Sequence, residues 1–72
     1  MISPISEREF EILQLVAGEK TTEEIANTLF ISNHTAISHR KNIMVKLKVK
    51  NTAGMVRRAF EIGLLKVDTI AH

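Results

Sequence analysis

TTEEIANTLFISNHTAISHRKNIMVKLKVK, residues 21–50, holds two helix starts separated by a short turn. Thr21-Thr22-Glu23-Glu24 has the pattern of a capping box. The Thr21 hydroxyl serves the backbone N–H three residues on, and the Glu24 carboxylate reaches back to the cap. This opens a helix over residues 22–29 with Ile25, Ala26 and Leu29 facing inward. Phe30-Ile31-Ser32 is a tight connection, and Ser32 is an N-cap for a second helix over residues 33–47. At about 100° per residue, Ala36, Ile43 and Leu47 fall within about 20° of one direction and form the buried stripe. His34, Ser38, Lys41 and Val45 fall within about 40° of the opposite direction, with Ile37 and Asn42 beside them. Arg40 lies nearer the buried side, so that its stem packs while its head reaches out. Two helices joined by a turn of this length make a helix-turn-helix.

Working outward, Ser6-Glu7-Arg8-Glu9 is another capping box, flanked by Ile5 and Phe10 at the positions of a hydrophobic staple. Pro4 suits an extended approach to it. Phe10, Leu13, Val16 and Ala17 recur on one face, and Gly18-Glu19 ends the helix. Glu9 is read as a cap residue. After Lys48-Val49, Asn51 caps a fourth helix over residues 52–62, with Met55, Val56, Ala59, Phe60 and Ile62 as its apolar residues. Gly63 is a C-terminal stop, and Leu64 and Leu65 close the core. The expectation is an all-α, four-helix compact single domain over residues 1–72, with its core in 5–65 and a fraying tail over 66–72.

Composition narrows the function. Seventy-two residues and 44% hydrophobic content allow one small core. The chain has no cysteine, hence no disulfide and no thiolate metal site. No apolar run reaches the roughly 18 residues that a membrane span requires, and MISPISEREF lacks the basic and apolar regions of a signal peptide. A reducing cytoplasm suits these features. Four short helices leave no room for an enzyme cleft of usual size. His34 and His39 point apart and are poor partners for one metal. Ser38-His39 lacks an orienting acid. Neither metal, cofactor nor catalytic residue is expected.

The net charge of +2 conceals a strong polarity. Residues 1–24 carry −4, residues 25–60 carry +7 with no acid at all, and residues 61–72 carry −1. Three of these early acids sit in the two helix starts, where the positive end of the dipole favours them. The basic segment reads either as a solvated face or as a polyanion-binding one. A membrane surface ranks below both, since the apolar stripe of the third helix belongs to the core.

In a helix-turn-helix the second helix enters the major groove of duplex DNA. On that reading Ser38 and Asn42 offer donor–acceptor groups to base edges. Lys41 addresses guanine O6 and N7, and Ile37 a thymine methyl. Ser32, Thr35, His39, Arg40, Lys46, Lys48 and Lys50 stand at the ends and flanks and suit phosphates. The apolar face of the fourth helix is core or, alternatively, a dimer surface.

The segment ISEREFEILQLVAGEKTTEEIANTLFISNHTAISHRKNIMVKLKVKN, followed by MVRRAFEIGLL, resembles the LuxR-type helix-turn-helix domain, the effector domain of NarL/FixJ response regulators and quorum-sensing activators. Ser6, Arg8-Glu9, Glu11-Ile12-Leu13, Glu24-Ile25-Ala26, Leu29, Ile31-Ser32, Thr35, His39, Ile43, Lys46-Leu47, Val49, Val56, Ala59 and Gly63-Leu64-Leu65 carry the likeness over residues 5–65 without a gap. Four places depart from the family pattern. Ala36 replaces the usual Val, and Gly18-Glu19 reverses the usual order, so that Glu19 takes the cap conformation. Lys48 replaces a common Gly and so occupies a left-handed position. Thr52 replaces an Arg, with Gly54 in the first turn that follows.

The resemblance implies a bacterial, cytoplasmic transcription regulator binding double-stranded DNA as a homodimer on paired half-sites. Ile37, Ser38 and Lys41 match the base-reading positions. The fourth helix, through Ala53, Val56, Arg57 and Phe60, is the expected dimer contact. RNA polymerase is a further partner that the family allows. A receiver domain of a two-component system, or a ligand-sensing domain, normally accompanies such a domain; no such segment occurs in these residues, so the chain reads as an excised or a freestanding effector domain. Two alternatives stand beside this one: a sigma-factor region-4-like promoter binder, which shares the EIA and ISxxT pieces, and an all-α protein-interaction module.

Overall fold

The computed structural model describes residues 5–67, folded as four helices: α1 (Glu7–Ala17), α2 (Thr22–Leu29), α3 (Asn33–Leu47) and α4 (Thr52–Glu61). The described residues contain no strand. The approach expected at Pro4 and the fraying expected beyond Val67 lie outside the described residues.

Each helix starts where its cap chemistry places it. Ser6 and Thr21 both form complete capping boxes, with Glu9 Oε1 accepting from Ser6 N at 2.9 Å and Glu24 Oε1 accepting from Thr21 N at 2.8 Å. Ser32 and Asn51 cap α3 and α4 through single bonds, to Thr35 N at 3.0 Å and Gly54 N at 2.8 Å. These caps satisfy amide donors that have no intrahelical acceptor. The staple pair Ile5 and Phe10 lies along one apolar hollow beside Leu64, which ties the entry of α1 to the segment after α4.

The helix ends are less conventional. Glu19, Phe30 and Lys48 all adopt left-handed backbone, with φ of 65°, 57° and 58°. A non-glycine residue there strains Cβ against the backbone by roughly 1–2 kcal/mol. Glu19 and Lys48 take the conformation their positions imply. Phe30 caps α2 in the same way and holds its ring almost wholly in solvent, at 94% exposure. Helix α4 stops one residue before the expected end, with Ile62 as its C-cap, and Gly63 turns the chain at φ 81°. Gly54 stands where a Cβ would press to 3.3 Å on the Val49 side chain and the Asn51 cap oxygen, which gives this departure from the family pattern a steric reason.

The core forms at the meeting of all four helices. Ile12, Leu13, Ile25, Ala36, Ile43, Met55 and Ala59 are fully or almost fully buried, and Val16, Ala26, Leu47 and Leu65 complete the cluster. The α3 contribution is the stripe Ala36, Ile43 and Leu47. Helices α2 and α3 pack on one another across the Phe30–Ser32 turn, as in a helix-turn-helix. Ala36 is entirely enclosed.

One charged side chain enters this core. Glu9 is 4% exposed, and its Oε1 accepts both the Ser6 amide and the Lys46 ammonium, the latter at 2.7 Å. Burial pushes the Glu9 carboxyl up, but the Lys46 bond, the Ser6 amide and the Lys46 charge together outweigh it. They hold the group below its ordinary value of 4.5. A carboxyl depressed in the folded state contributes stability that is complete above its unfolded pKa and is lost as pH falls through the folded one. The thermal stability of the domain is therefore expected to fall below about pH 4.5. Glu9→Gln should lower the melting temperature at neutral pH and flatten its decline in acid. An acid profile identical in the two proteins would deny Glu9 this role.

Candidate nucleic-acid interface

Burial of the Ala36–Ile43–Leu47 stripe turns the opposite side of α3 to solvent. His34, Ile37, Ser38, Lys41, Asn42 and Val45 are all exposed on it. The four expected base readers, Ile37, Ser38, Lys41 and Asn42, thus share one face of one helix. Ile37 is 41% exposed. His39 is half-buried on the flank.

The N-terminus of α3 carries no acidic residue in its first turn. Acids occupy the first turns of α1 (Glu7, Glu9) and α2 (Glu23, Glu24), while the first turns of α3 and α4 contain none. The positive dipole ends of α3 and α4 are therefore not compensated locally. At the start of α3 the Ser32 hydroxyl donates to Thr35 Oγ1 at 2.9 Å while accepting from Thr35 N. The Ser32 proton is thereby committed, which leaves Thr35 Oγ1 with its own proton to donate.

The bases of residues 25–60 divide into two groups. Lys41, Lys48 and Lys50 are exposed and, among the described residues, make no ion pair. The others are engaged. Lys46 is held by Glu9. Arg57 and Arg58 share Glu61 at 3.5 and 3.7 Å. Arg40 donates through Nη1 to Thr22 Oγ1 at 3.0 Å and through Nη2 to Thr52 Oγ1 at 2.8 Å. Arg40 is half-buried, and its head braces the first residues of α2 and α4 against α3. Sequence reasoning assigned Arg40 and Lys46 to phosphates and did not find these intramolecular partners. Thr22, Thr52 and Glu9 lie 12 to 37 residues away in the chain, and no local pattern links them.

On α4, Ala53 and Arg57 are exposed, whereas Val56 and Phe60 are half-buried against the core. This is the face expected to meet a second copy. The described residues contain no cluster of three or more His, Cys, Asp or Glu able to hold a metal, and no helix long and apolar enough to cross a membrane.

The Arg40 brace has a measurable consequence. Arg40→Ala removes two hydrogen bonds from a charged donor, each worth about 1–3 kcal/mol. Chemical denaturation should register a loss of about 1–3 kcal/mol, discounted because one bond is exposed. Arg40→Lys, which cannot span both hydroxyls, should recover less than half of it. Full recovery by lysine would mean that charge rather than the two-pronged brace matters.

Comparison with known proteins places the sequence among bacterial regulators. Residues 3–59 match the family model GerE, described as bacterial regulatory proteins of the luxR family. The transcriptional regulatory protein MctR of Rhizobium johnstonii is 42% identical over 62 residues, covering 86% of this chain and 29% of MctR. The uncharacterized response regulatory protein YgeK of Escherichia coli K12 is 43% identical over 63 residues, covering 88% of this chain and 43% of YgeK. The spore germination protein GerE of Bacillus subtilis is 40% identical over 63 residues, covering 88% of this chain and 85% of GerE. The chain thus spans less than half the length of the first two relatives and most of the third.

Proposed function

The chain belongs to the luxR family of bacterial regulatory proteins, and from that premise we propose how it engages DNA. The family is one of DNA-binding transcription regulators and not a class of enzymes. Helix α3 lies in the major groove, with Ile37, Ser38, Lys41 and Asn42 on base edges. Thr35, His39, Lys48 and Lys50 stand at phosphates, whereas the Ser32 proton is committed to Thr35 and the Arg40 head to Thr22 and Thr52. Lys46 is left out of that set because its ammonium already lies 2.7 Å from Glu9. The observation that carries the reading is the outer face of α3, where unpaired Lys41 and exposed polar groups stand opposite the buried stripe.

The reading extends to the protein's setting. It acts in the bacterial cytoplasm, where the chromosome is. Two copies meet through the α4 face around Ala53, Val56, Arg57 and Phe60 and place two α3 helices on paired half-sites. A receiver domain of a response regulator, as the names of relatives such as YgeK suggest, supplies the signal, and RNA polymerase is the downstream partner. The sigma-factor-like reading fits less well, because α4 and Leu64-Leu65 follow α3 and pack into the core.

Incubation with a random duplex pool at near-physiological salt, followed by sequencing of what is retained, tests this directly. A two-fold symmetric motif is expected; retention without enrichment would leave phosphate contact alone. On the enriched duplex, Ser38→Ala and Lys41→Ala should each relax base preference by about 1–3 kcal/mol. Lys50→Ala should weaken all sequences alike and lower the salt slope by about 0.9. Lys46→Ala should leave the slope nearly unchanged and cost stability of about 1–3 kcal/mol, since Glu9 loses its cation. A slope change at Lys46 equal to that at Lys50 would return Lys46 to the phosphate set.

A further inference from the structure

The outer line of α3, through His34, Ser38, Lys41 and Val45, carries one apolar side chain. Val45 lies opposite the buried stripe and is 75% exposed. Neither the core nor the helix accounts for it. It contributes nothing to the buried cluster, and a β-branched residue forms helix less readily than the straight-chain residues that suit a solvated position. A single exposed apolar residue is ordinary on a protein surface. Val45 differs in its placement, one turn beyond Lys41 and two beyond Ser38, on the face proposed to read bases.

We infer that Val45 is a specificity-determining residue that packs its isopropyl group on the C5-methyl of a thymine in the major groove. This rests on the groove reading of α3 and extends it by one contact. The thymine methyl is the apolar mark that the major groove displays. The side chain of Val45 is stiff at χ1, so little rotamer freedom is lost on contact. A protein partner suits the position poorly. Val45 lies one turn beyond Lys41 and three residues before Lys48, both exposed lysines without an ion pair among the described residues, and interface cores are depleted of charge. The other strongly exposed apolar residue near α3, Phe30, lies in the turn at the opposite end of the helix.

The arrangement sets a spacing. Ile37 and Val45 are eight residues apart, about 12 Å along a helix rising about 1.5 Å per residue. DNA rises about 3.4 Å per base pair. Two methyl contacts three or four base pairs apart should therefore bracket the guanine addressed by Lys41.

The test uses the duplex enriched from the random pool, with each thymine replaced in turn by deoxyuridine, which removes only the methyl. Binding is measured for the wild type, Val45→Ala and Ile37→Ala. One position should cost the wild type about fourfold in affinity, the equivalent of about 0.8 kcal/mol for one buried carbon, and cost Val45→Ala less than about twofold. The position tied to Ile37 should lie three or four base pairs away. Because Val45 is exposed, Val45→Ala should melt as the wild type does, so that the comparison concerns contact and not folding. A methyl scan identical in the wild type and Val45→Ala overturns this inference alone. Failure to enrich any duplex overturns the groove reading and this inference with it.

Discussion

Burial of Ala36, Ile43 and Leu47 determines the orientation of α3, and through it the direction of every side chain available to a partner. The stripe recurs at the helical period, so its contact with α1, α2 and α4 fixes the rotation of the helix about its own axis. Once that rotation is fixed, Ser38, Lys41 and Val45 point away from the domain and Arg40 is trapped between the two faces. A rotation of 100°, one residue, would bury Lys41 or expose Ile43. The reading face is in this sense the complement of the core.

Polar contacts reinforce this along α3. Near its middle, Arg40 holds the first residues of α2 and α4. Near its C-terminus, Lys46 reaches the capping carboxylate of α1. The second bond makes one side chain, Glu9, serve the start of α1 and the end of α3 together. A buried ion pair is weak evidence for net stability, but removing one partner is costly, so the pair specifies an arrangement more than it strengthens one. It also withdraws a positive charge from the surface. Of seven bases in residues 25–60, Lys41, Lys48 and Lys50 remain without an acidic or hydroxyl partner among the described residues. The unpartnered positive charge of this segment is accordingly concentrated on one helix and the turn that follows it.

Among the described residues, three non-glycine residues in left-handed backbone indicate where the chain gives up stability for placement. Lys48 puts a charge where glycine would be easier, beside Lys50 and the end of α3. Phe30 closes α2 so tightly that the turn to Ser32 takes only three residues, at the expense of an aromatic ring in water. Short turns keep the two helices of the motif at a fixed crossing, which a rigid reading surface requires.

The helices and their starts were legible in the residues because caps and apolar periods are local. Ser6, Thr21, Ser32 and Asn51 each act within three residues of themselves, and the α3 stripe repeats within one helix. The exposed face of α3 followed from the same period, as the remainder of the circle. The engagement of Arg40 and Lys46 was not legible. Their partners lie at the first residues of other helices, and only the way those helices cross brings a hydroxyl or a carboxylate within 3 Å. Sequence alone therefore determined which helices form and which face of α3 is outward. The tertiary structure decided which of the outward charges are free, because an ion pair depends on distance in space, which the order of residues does not contain.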